Sequence, residues 1–449
     1  MDHRREQGVN PMPSSLEQID TIIILMMENR SFDHMLGYLS LAKYGGRTDV
    51  NGLRGDQAWH DQVANSWQGH KYWPIPLGEP RIPDPPHERL NIELQLGGRT
   101  AGISPLDGFV ASASGDSEVM NYQTPDQVPM LDFFARKFRI CDRWFSCLPA
   151  STQPNRLMAL SGYSLIDGNK TILPDQTLVY DWLDNHDVRW RVYHQGLFPF
   201  AALMPSWAPY TFGSDFKSFE HFAIDFQLEP DATFPRVIFI EPVYTDAPHE
   251  GSEGTDDHSP SSVYGGQELM RQVYLAMAEG TRWDRSMLII TYDEHGGFFD
   301  HEQPLKLETV APGDRYPVFQ TSGVRVPGLI VSPLVSAGSC CHLDFDHTSI
   351  LKLLGDKFGR GSGYSPEVDR RAVKSLTAAL DLTSARTDLP VPPDPATFPK
   401  LSAAAPAPIP NSGPIVDAYN AALANAKTDD ARAHALAAKF PSLRNFIGV

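Results

Sequence analysis

Two strand-sized apolar runs, each closed by a cluster of acids, set the terms for this chain. Thr21–Met27 leads straight into Glu28-Asn29-Arg30-Ser31-Phe32-Asp33. More than half the chain later, residues 287–292 lead into Asp293-Glu294-His295-Gly296-Gly297-Phe298-Phe299-Asp300-His301. A short, unbroken apolar run bounded by polar residues predicts a strand buried on both faces, as inside parallel sheets. Open α/β sheets bind their ligands beyond the carboxyl ends of such strands. Acids placed there are costly to bury unless a cation neutralises them. Their hard oxygens suit a divalent cation.

The segments between these runs fit the same picture. Further strands are expected at 190–193, at Val237–Glu241 and at 329–331, and helices at 130–138, 266–279 and 347–358. Alternating strands and helices predict a mostly parallel central sheet flanked by helices. Residues 46–103 and 246–266 are long, polar and rich in turn formers, so they are expected to wall the pocket. Boundaries follow from composition: a tail at 1–19, a main domain at 20–384, a Pro/Ala-rich linker or strap at 385–414 and a helical appendage at 415–449. The appendage is expected to carry helices at 415–426 and 429–440.

Bulk properties exclude several classes. Hydrophobic residues at 41% and charged residues at 21% of 449 describe a globular chain. A net charge of −17, from 38 basic and 55 acidic residues, argues against nucleic acid as a partner. A phosphorylated substrate remains compatible, because a bound cation supplies positive charge locally. No run is long and apolar enough for a transmembrane segment. Met1-Asp2-His3-Arg4-Arg5 lacks the apolar core of a secretory signal, so a cytoplasmic location is the expectation, with secretion left open. The four cysteines (Cys141, Cys147, Cys340 and Cys341) lack paired zinc-ligand spacing. Reduced thiols are expected, a Cys141–Cys147 bridge being the alternative.

Individual motifs carry the chemistry. Glu28-Asn29 offers a carboxylate ligand and an amide donor, though it also suits a helix cap. Ser151-Thr152-Gln153-Pro154-Asn155-Arg156 reads as a turn entering a helix, whose N-terminal amides favour an anion. Thr152 is thus a candidate nucleophile or metal ligand, against an ordinary capping role. Asp293-Glu294 is the second acidic pair, and Gly296-Gly297 lets backbone pass close to a ligand. His87, His258 and His347 stand near acids or prolines, as candidates to bind phosphate or protonate a leaving group.

Taken in order, these motifs resemble the phosphoesterase family of bacterial and plant non-specific phospholipases C and related acid phosphatases. Glu28 to Gly37 is similar to the family's opening signature, and Leu106-Asp107-Gly108-Phe109 to its next short motif. Cys141-Asp142-Arg143-Trp144-Phe145-Ser146 leading to Thr152–Arg156 resembles the nucleophile segment. Asp293–His301 with Pro304 is similar to the second metal-side motif, and Gly323-Val324-Arg325-Val326-Pro327 to the approach to the last core strand. The resemblance covers residues 20–354. It implies an alkaline-phosphatase-like α/β fold with long active-site loops.

By that resemblance, Glu28, Asn29, Thr152, Asp293 and Glu294 would surround one divalent metal ion, with Thr152 as nucleophile. Asn29, His87, His258 and His301 would contact the phosphoryl group. Two matches depart from the family pattern: Asp84-Pro85-Pro86-His87 stands for Asp-Pro-Gly-His, and His258-Ser259-Pro260 for His-Pro-Pro. The implied activity is phospholipase C-like hydrolysis of phospholipid headgroup diesters. The alternatives are an acid phosphatase acting on monoesters and a catalytically silent binding protein. Oxygen ligands leave Ca, Mg and Mn open, and the nearby histidines add Zn. A phospholipid would meet the enzyme at a membrane surface.

Overall fold

A computed structural model describes residues 15–78, 81–97, 106–246, 253–309 and 319–398. The helices expected at 415–426 and 429–440, the tail before residue 15 and most of the 385–414 segment lie outside the described residues.

The core is an eight-stranded sheet. Its strands, in chain order, are β1 (Thr21–Met27), β2 (Arg139–Cys141), β3 (Trp190–His194), β4 (Phe216–Ser218), β5 (Val237–Glu241), β6 (Ser286–Tyr292), β7 (Gly328–Val331) and β8 (Ser339–Cys341). Across the sheet they run β8-β2-β7-β6-β1-β5-β3-β4. Only β7 runs against its neighbours; the other pairs are parallel. This is the mostly parallel α/β sheet that the alternation of strands and helices implied.

The two apolar runs lie side by side at its centre. β1 and β6 pair in register from Thr21↔Ser286 to Met27↔Tyr292. Every residue of both strands is buried, as expected of strands covered on both faces. Ile22, Ile23, Leu25 and Met27 have no solvent exposure, each side chain contributing about 1.5–3 kcal/mol of burial. That register has a chemical consequence. Because both strands end together, Glu28-Asn29 and Asp293-Glu294 emerge next to each other.

Helices close the faces. α1 (Phe32–Leu36) follows the first motif, and α2 (Pro129–Lys137) packs on the sheet. α3 (Thr152–Ser161), α4 (Tyr264–Ala278) and α5 (Thr348–Phe358) follow in the chain. Proline at the start of α2 removes one unsatisfied amide. The Gln267 side chain of α4 accepts from the next two, Met130 N at 2.9 Å and Leu131 N at 3.2 Å. The stretch 46–103 is more ordered than its composition implied, containing the helices Gln57–Val63 and Arg89–Gln95 and a hairpin of Asn65–Trp67 with His70–Tyr72. All four cysteines are free, so no Cys141–Cys147 bridge forms. Residues 390–393 lie along α4, where the Tyr274 hydroxyl donates to the Pro390 carbonyl at 2.6 Å.

Candidate active site

Asn29 is where β1 turns into the site. Its φ of +60° is rare for a side-chain-bearing residue, and asparagine is one of the few that tolerates it. The turn aims the Asn29 amide N–H at Asp293 Oδ1, 3.1 Å away. Gly296 passes so close that an added Cβ would stand 2.1 Å from the Asn29 carbonyl, so the Gly-Gly pair is needed for the two motifs to touch.

Thr152 opens α3, just after its N-cap Ser151. Asn155 fixes that turn. Its side-chain oxygen accepts from Leu148 N at 2.9 Å, while its nitrogen donates to the Ala150 carbonyl at 2.8 Å. The Thr152 hydroxyl donates to Asn29 Oδ1 at 3.3 Å. On the other side, Asn29 Nδ2 stands 3.1 Å from His87 Nε2. His87 Nδ1 is 2.7 Å from the Pro85 carbonyl, which fixes a proton on that nitrogen. Asn29 therefore stands between the Thr152 hydroxyl and the His87 ring.

One helical turn after Thr152, Arg156 reaches the same place. Its Nε lies 3.1 Å from both Glu28 Oε1 and Asp293 Oδ2. Its other nitrogens donate to the Tyr244 hydroxyl and the Met26 carbonyl. Burial would raise the Glu28 carboxyl, but Arg156 and His258 together hold it low. Asp293 goes the other way, pushed well up first by burial and then by the neighbouring Glu28 charge. One guanidinium does not neutralise this corner.

His258 packs against His87, ring centroids 5.5 Å apart. It is boxed by acids: Nδ1 is 3.3 Å from Glu28 Oε2, and Nε2 is 3.3 Å from Asp84 Oδ1. Burial alone would lower both imidazoles. The surrounding carboxylates outweigh it, lifting His258 well above the usual range and His87 to about 9, the latter through Asp84 and Glu294. Two carboxyls behind them rise as well, Asp246 to about 6 and Asp256 to about 7, through burial and then the Glu28 charge.

Glu28, Asn29, Thr152, Asp293, His87 and His258 are thus joined in one network, with Glu294 directly bonded to it through its own amide on Asp293. His301 sits in a separate hydrogen-bonded cluster. Its Nδ1 is 2.6 Å from Asp33 Oδ2 and its Nε2 is 3.1 Å from Asn51 Oδ1. Its ring also borders a neighbouring cavity of about 310 Å³. His347 is structural: Nε2–H donates to the Asp293 carbonyl at 2.7 Å, while Nδ1 accepts from Trp144 at 3.2 Å. Burial pushes it down to about 4, which keeps it neutral. Arg156, Asp84 and Asp256 were not assigned roles from sequence. Arg156 had a usable signal, since a residue four positions after Thr152 shares its helix face.

The donor set can be tested against a cation without any ligand in place. Glu28 Oε2, with only the His258 ring 3.3 Å away, and Glu294 Oε1 are buried yet accept no well-aligned hydrogen bond among the described residues. Native proteins rarely leave such oxygens unmatched, and a cation satisfies both. The residues fit a divalent ion.

Known proteins resemble this chain along most of its length. The sequence model described as the Phosphoesterase family matches residues 19–360. The chain belongs to the phosphoesterase family. Non-specific phospholipase C6 of Arabidopsis thaliana is 31% identical to this phosphoesterase over 422 residues, covering 86% of this chain and 78% of that protein. Phospholipase C B of Mycobacterium tuberculosis is 27% identical over 412 residues, with 78% and 75% covered. Among solved structures, a protein in the alkaline phosphatase superfamily from Vibrio parahaemolyticus aligns over 74% of this chain and 76% of its own. The identity is 12% and the TM-score 0.36. This phosphoesterase is accordingly a phosphoric ester hydrolase. Among its described residues no helix is long and apolar enough to cross a membrane.

Proposed function

We propose that this phosphoesterase hydrolyses phospholipid headgroup diesters in two steps, with Thr152 as nucleophile beside one divalent cation. The observation that carries the reading is the contact of the Thr152 hydroxyl with Asn29 Oδ1, at the edge of buried carboxylate oxygens that lack donors. Glu28, Asn29, Thr152, Asp293 and Glu294 would hold the ion. When bound, it supplies the charge that acidifies the hydroxyl and offsets the phosphoryl oxygens.

The protein's own groups account for the rest. α3 presents the hydroxyl at the positive end of a ten-residue helix, favourable for an anionic substrate. Asn29 orients Oγ1, and Nδ2 of the same amide lies against the His87 ring. The Thr152 hydroxyl loses its proton to solvent and Oγ1 attacks phosphorus, while the leaving alcohol takes a proton from the His258 imidazolium. The neutral His258 then takes a proton from the water that releases the phosphorylated headgroup, and solvent reprotonates Thr152. Arg156 keeps Glu28 and Asp293 apart in charge and fixed in place. Positioning and charge neutralisation are the main catalytic contributions. His301 is proposed to act indirectly, orienting the loop that begins at Asp293.

The similarity to enzymes named phospholipase C supports a diester over a monoester. The test compares release of diacylglycerol from phosphatidylcholine vesicles with hydrolysis of an aryl phosphate monoester, each by wild type and Thr152→Ala. The expected result is diester cleavage that disappears in the variant. Preference for the monoester would make the enzyme a phosphatase, and full activity of Thr152→Ala would remove the nucleophile assignment.

A further inference from the structure

A second set of ligand atoms gathers at the edge of the sheet, built from different motifs. Cys340 and His342 alternate along the end of β8, so they project to one face. β8 pairs in parallel with β2 through Cys340↔Ile140 and Cys341↔Cys141. That register brings Asp142, the residue after β2, alongside His342, and the Asp142 amide donates to the Cys341 carbonyl at 3.3 Å. Cys341 points the other way, against Cys141.

The three side chains converge. His342 Nδ1 is 3.0 Å from both carboxylate oxygens of Asp142 and 3.9 Å from Cys340 Sγ. All three ligand atoms lie within 4.8 Å of one another. Tetrahedral zinc, with bonds of about 2.3 Å to sulfur and about 2.1 Å to nitrogen or oxygen, sets neighbouring ligands about 3.4–3.6 Å apart. The observed separations bracket that spacing. Asp142 is fully buried, whereas the His342 side chain is 59% exposed. The cluster is therefore anchored at one end and open to an arriving ion at the other.

We propose that Asp142, Cys340 and His342 form a second metal site, distinct from the catalytic one, for a single zinc-class divalent cation. The ligand types match: thiolate, imidazole and carboxylate together select a borderline-soft ion, which the oxygen-rich catalytic set does not. Charge also closes, because one carboxylate and one thiolate balance a divalent ion. Binding sends the Cys340 proton to solvent and leaves His342 neutral, with its proton on Nε2. Burial and the Asp142 carboxylate push the free thiol up, so Cys340 alkylates slowly even without a metal. A cation is what stabilises a thiolate here.

The site is connected to the rest of the molecule through Asn51. Its amide donates to Asp142 Oδ2 at 2.9 Å, its side-chain oxygen meets His301, and its carbonyl accepts from Arg325 at 2.7 Å. An ion on Asp142 would steady the loop that braces the second motif.

The experiment uses metal-depleted full-length protein titrated with cobalt(II). A thiolate-to-cobalt charge-transfer band is expected in wild type and in Glu28→Gln, and it should vanish in Cys340→Ser with the loss of one bound equivalent. A band absent from wild type, or intact in Cys340→Ser, overturns the proposal. Iodoacetamide labelling of wild type, read at Cys340 by mass spectrometry, decides the matter should the variant fail to fold. Zinc is expected to slow labelling by at least about tenfold, and unchanged labelling also overturns the site.

Discussion

Glu28 and Asp293 stand directly beyond β1 and β6, and Asp33 and Asp300 a few residues further along the same two segments. All four are buried, yet their surroundings differ in kind. Around Asp33 and Asp300 every charge is answered. Arg325 Nη2 donates to Asp33 Oδ1 at 3.0 Å and its Nε to Asp300 Oδ1 at 3.1 Å. His301 takes Asp33 Oδ2, and the Asp33 amide donates to Asp300 Oδ2 at 3.0 Å. Around Glu28 and Asp293, Arg156 serves both acids and the His258 ring lies 3.3 Å from Glu28 Oε2, yet Glu28 Oε2 and Glu294 Oε1 still accept no well-aligned hydrogen bond among the described residues. The satisfied cluster reads as a brace, the unsatisfied one as a site awaiting a charged ligand. A buried polar group left unpaired calls for a physical explanation, and a bound ion is one.

The largest effect should separate the two at the level of chemistry. Thr152→Ala is expected to lower turnover by about 10⁴-fold or more while shifting stability by less than about 1 kcal/mol, since it deletes one weak hydrogen bond. Diester hydrolysis and urea unfolding on the same preparation check both halves. Arg325→Met should do the reverse. It leaves Asp33 and Asp300 buried without their cation, a loss of about 3–5 kcal/mol, visible as a lower urea midpoint. Should Arg325→Met prove as stable as wild type, the cluster is no brace.

Cation response sharpens the contrast at smaller magnitude. Magnesium or calcium at a hundredfold excess over its Kd should stabilise wild type by about 2.7 kcal/mol. Such hard ions avoid the Cys340 site. Glu28→Gln should lose most of that increment, whereas Arg325→Met should retain it on a lower base. Equal responses from both variants would mean that the ion does not bind where the unmatched oxygens are. Thermal unfolding with and without chelator provides the measurement.

Much of this was legible in the sequence because strand periodicity and the placement of acids are local signals. β1 and β6 follow from unbroken apolar runs, and their adjacency brings Glu28 to Asp293. What sequence did not reveal depends on distance in the fold. Arg156 lies in a quoted motif, but only the placement of α3 beside the end of β1 turns it toward the acids. His301 adjoins a metal-side motif, yet Asp33, Asn51 and Arg325 claim it for a different cluster. His347 looked like the other loop histidines until Trp144 and the Asp293 carbonyl occupied both ring nitrogens. Cys340 and His342 gave no paired zinc spacing, because their third partner comes from β2 through sheet register.

The smallest predicted effect tests the brace through its pH dependence. Burial opposes charge on His301, but the Asp33 carboxylate outweighs it and raises the imidazole above its ordinary value. A raised histidine contributes stability that is complete below its unfolded pKa, about 6.5, and is lost as pH climbs through the folded value. Asp33 is held low against its own burial by His301 and then Arg325. Its contribution is present above about pH 3.9 and disappears as pH falls through the lowered folded value. The pair therefore contributes most between about pH 4 and 6.5. The stability gap between wild type and His301→Gln should be widest in that window and narrow as pH rises beyond it. Because Arg325 still answers Asp33 in the variant, the gap should be smaller than the loss in Arg325→Met. A gap that is flat from pH 5 to 9 would show that His301 holds Asp33 as a neutral hydrogen-bond donor, and that Arg325 alone carries the charge of the brace.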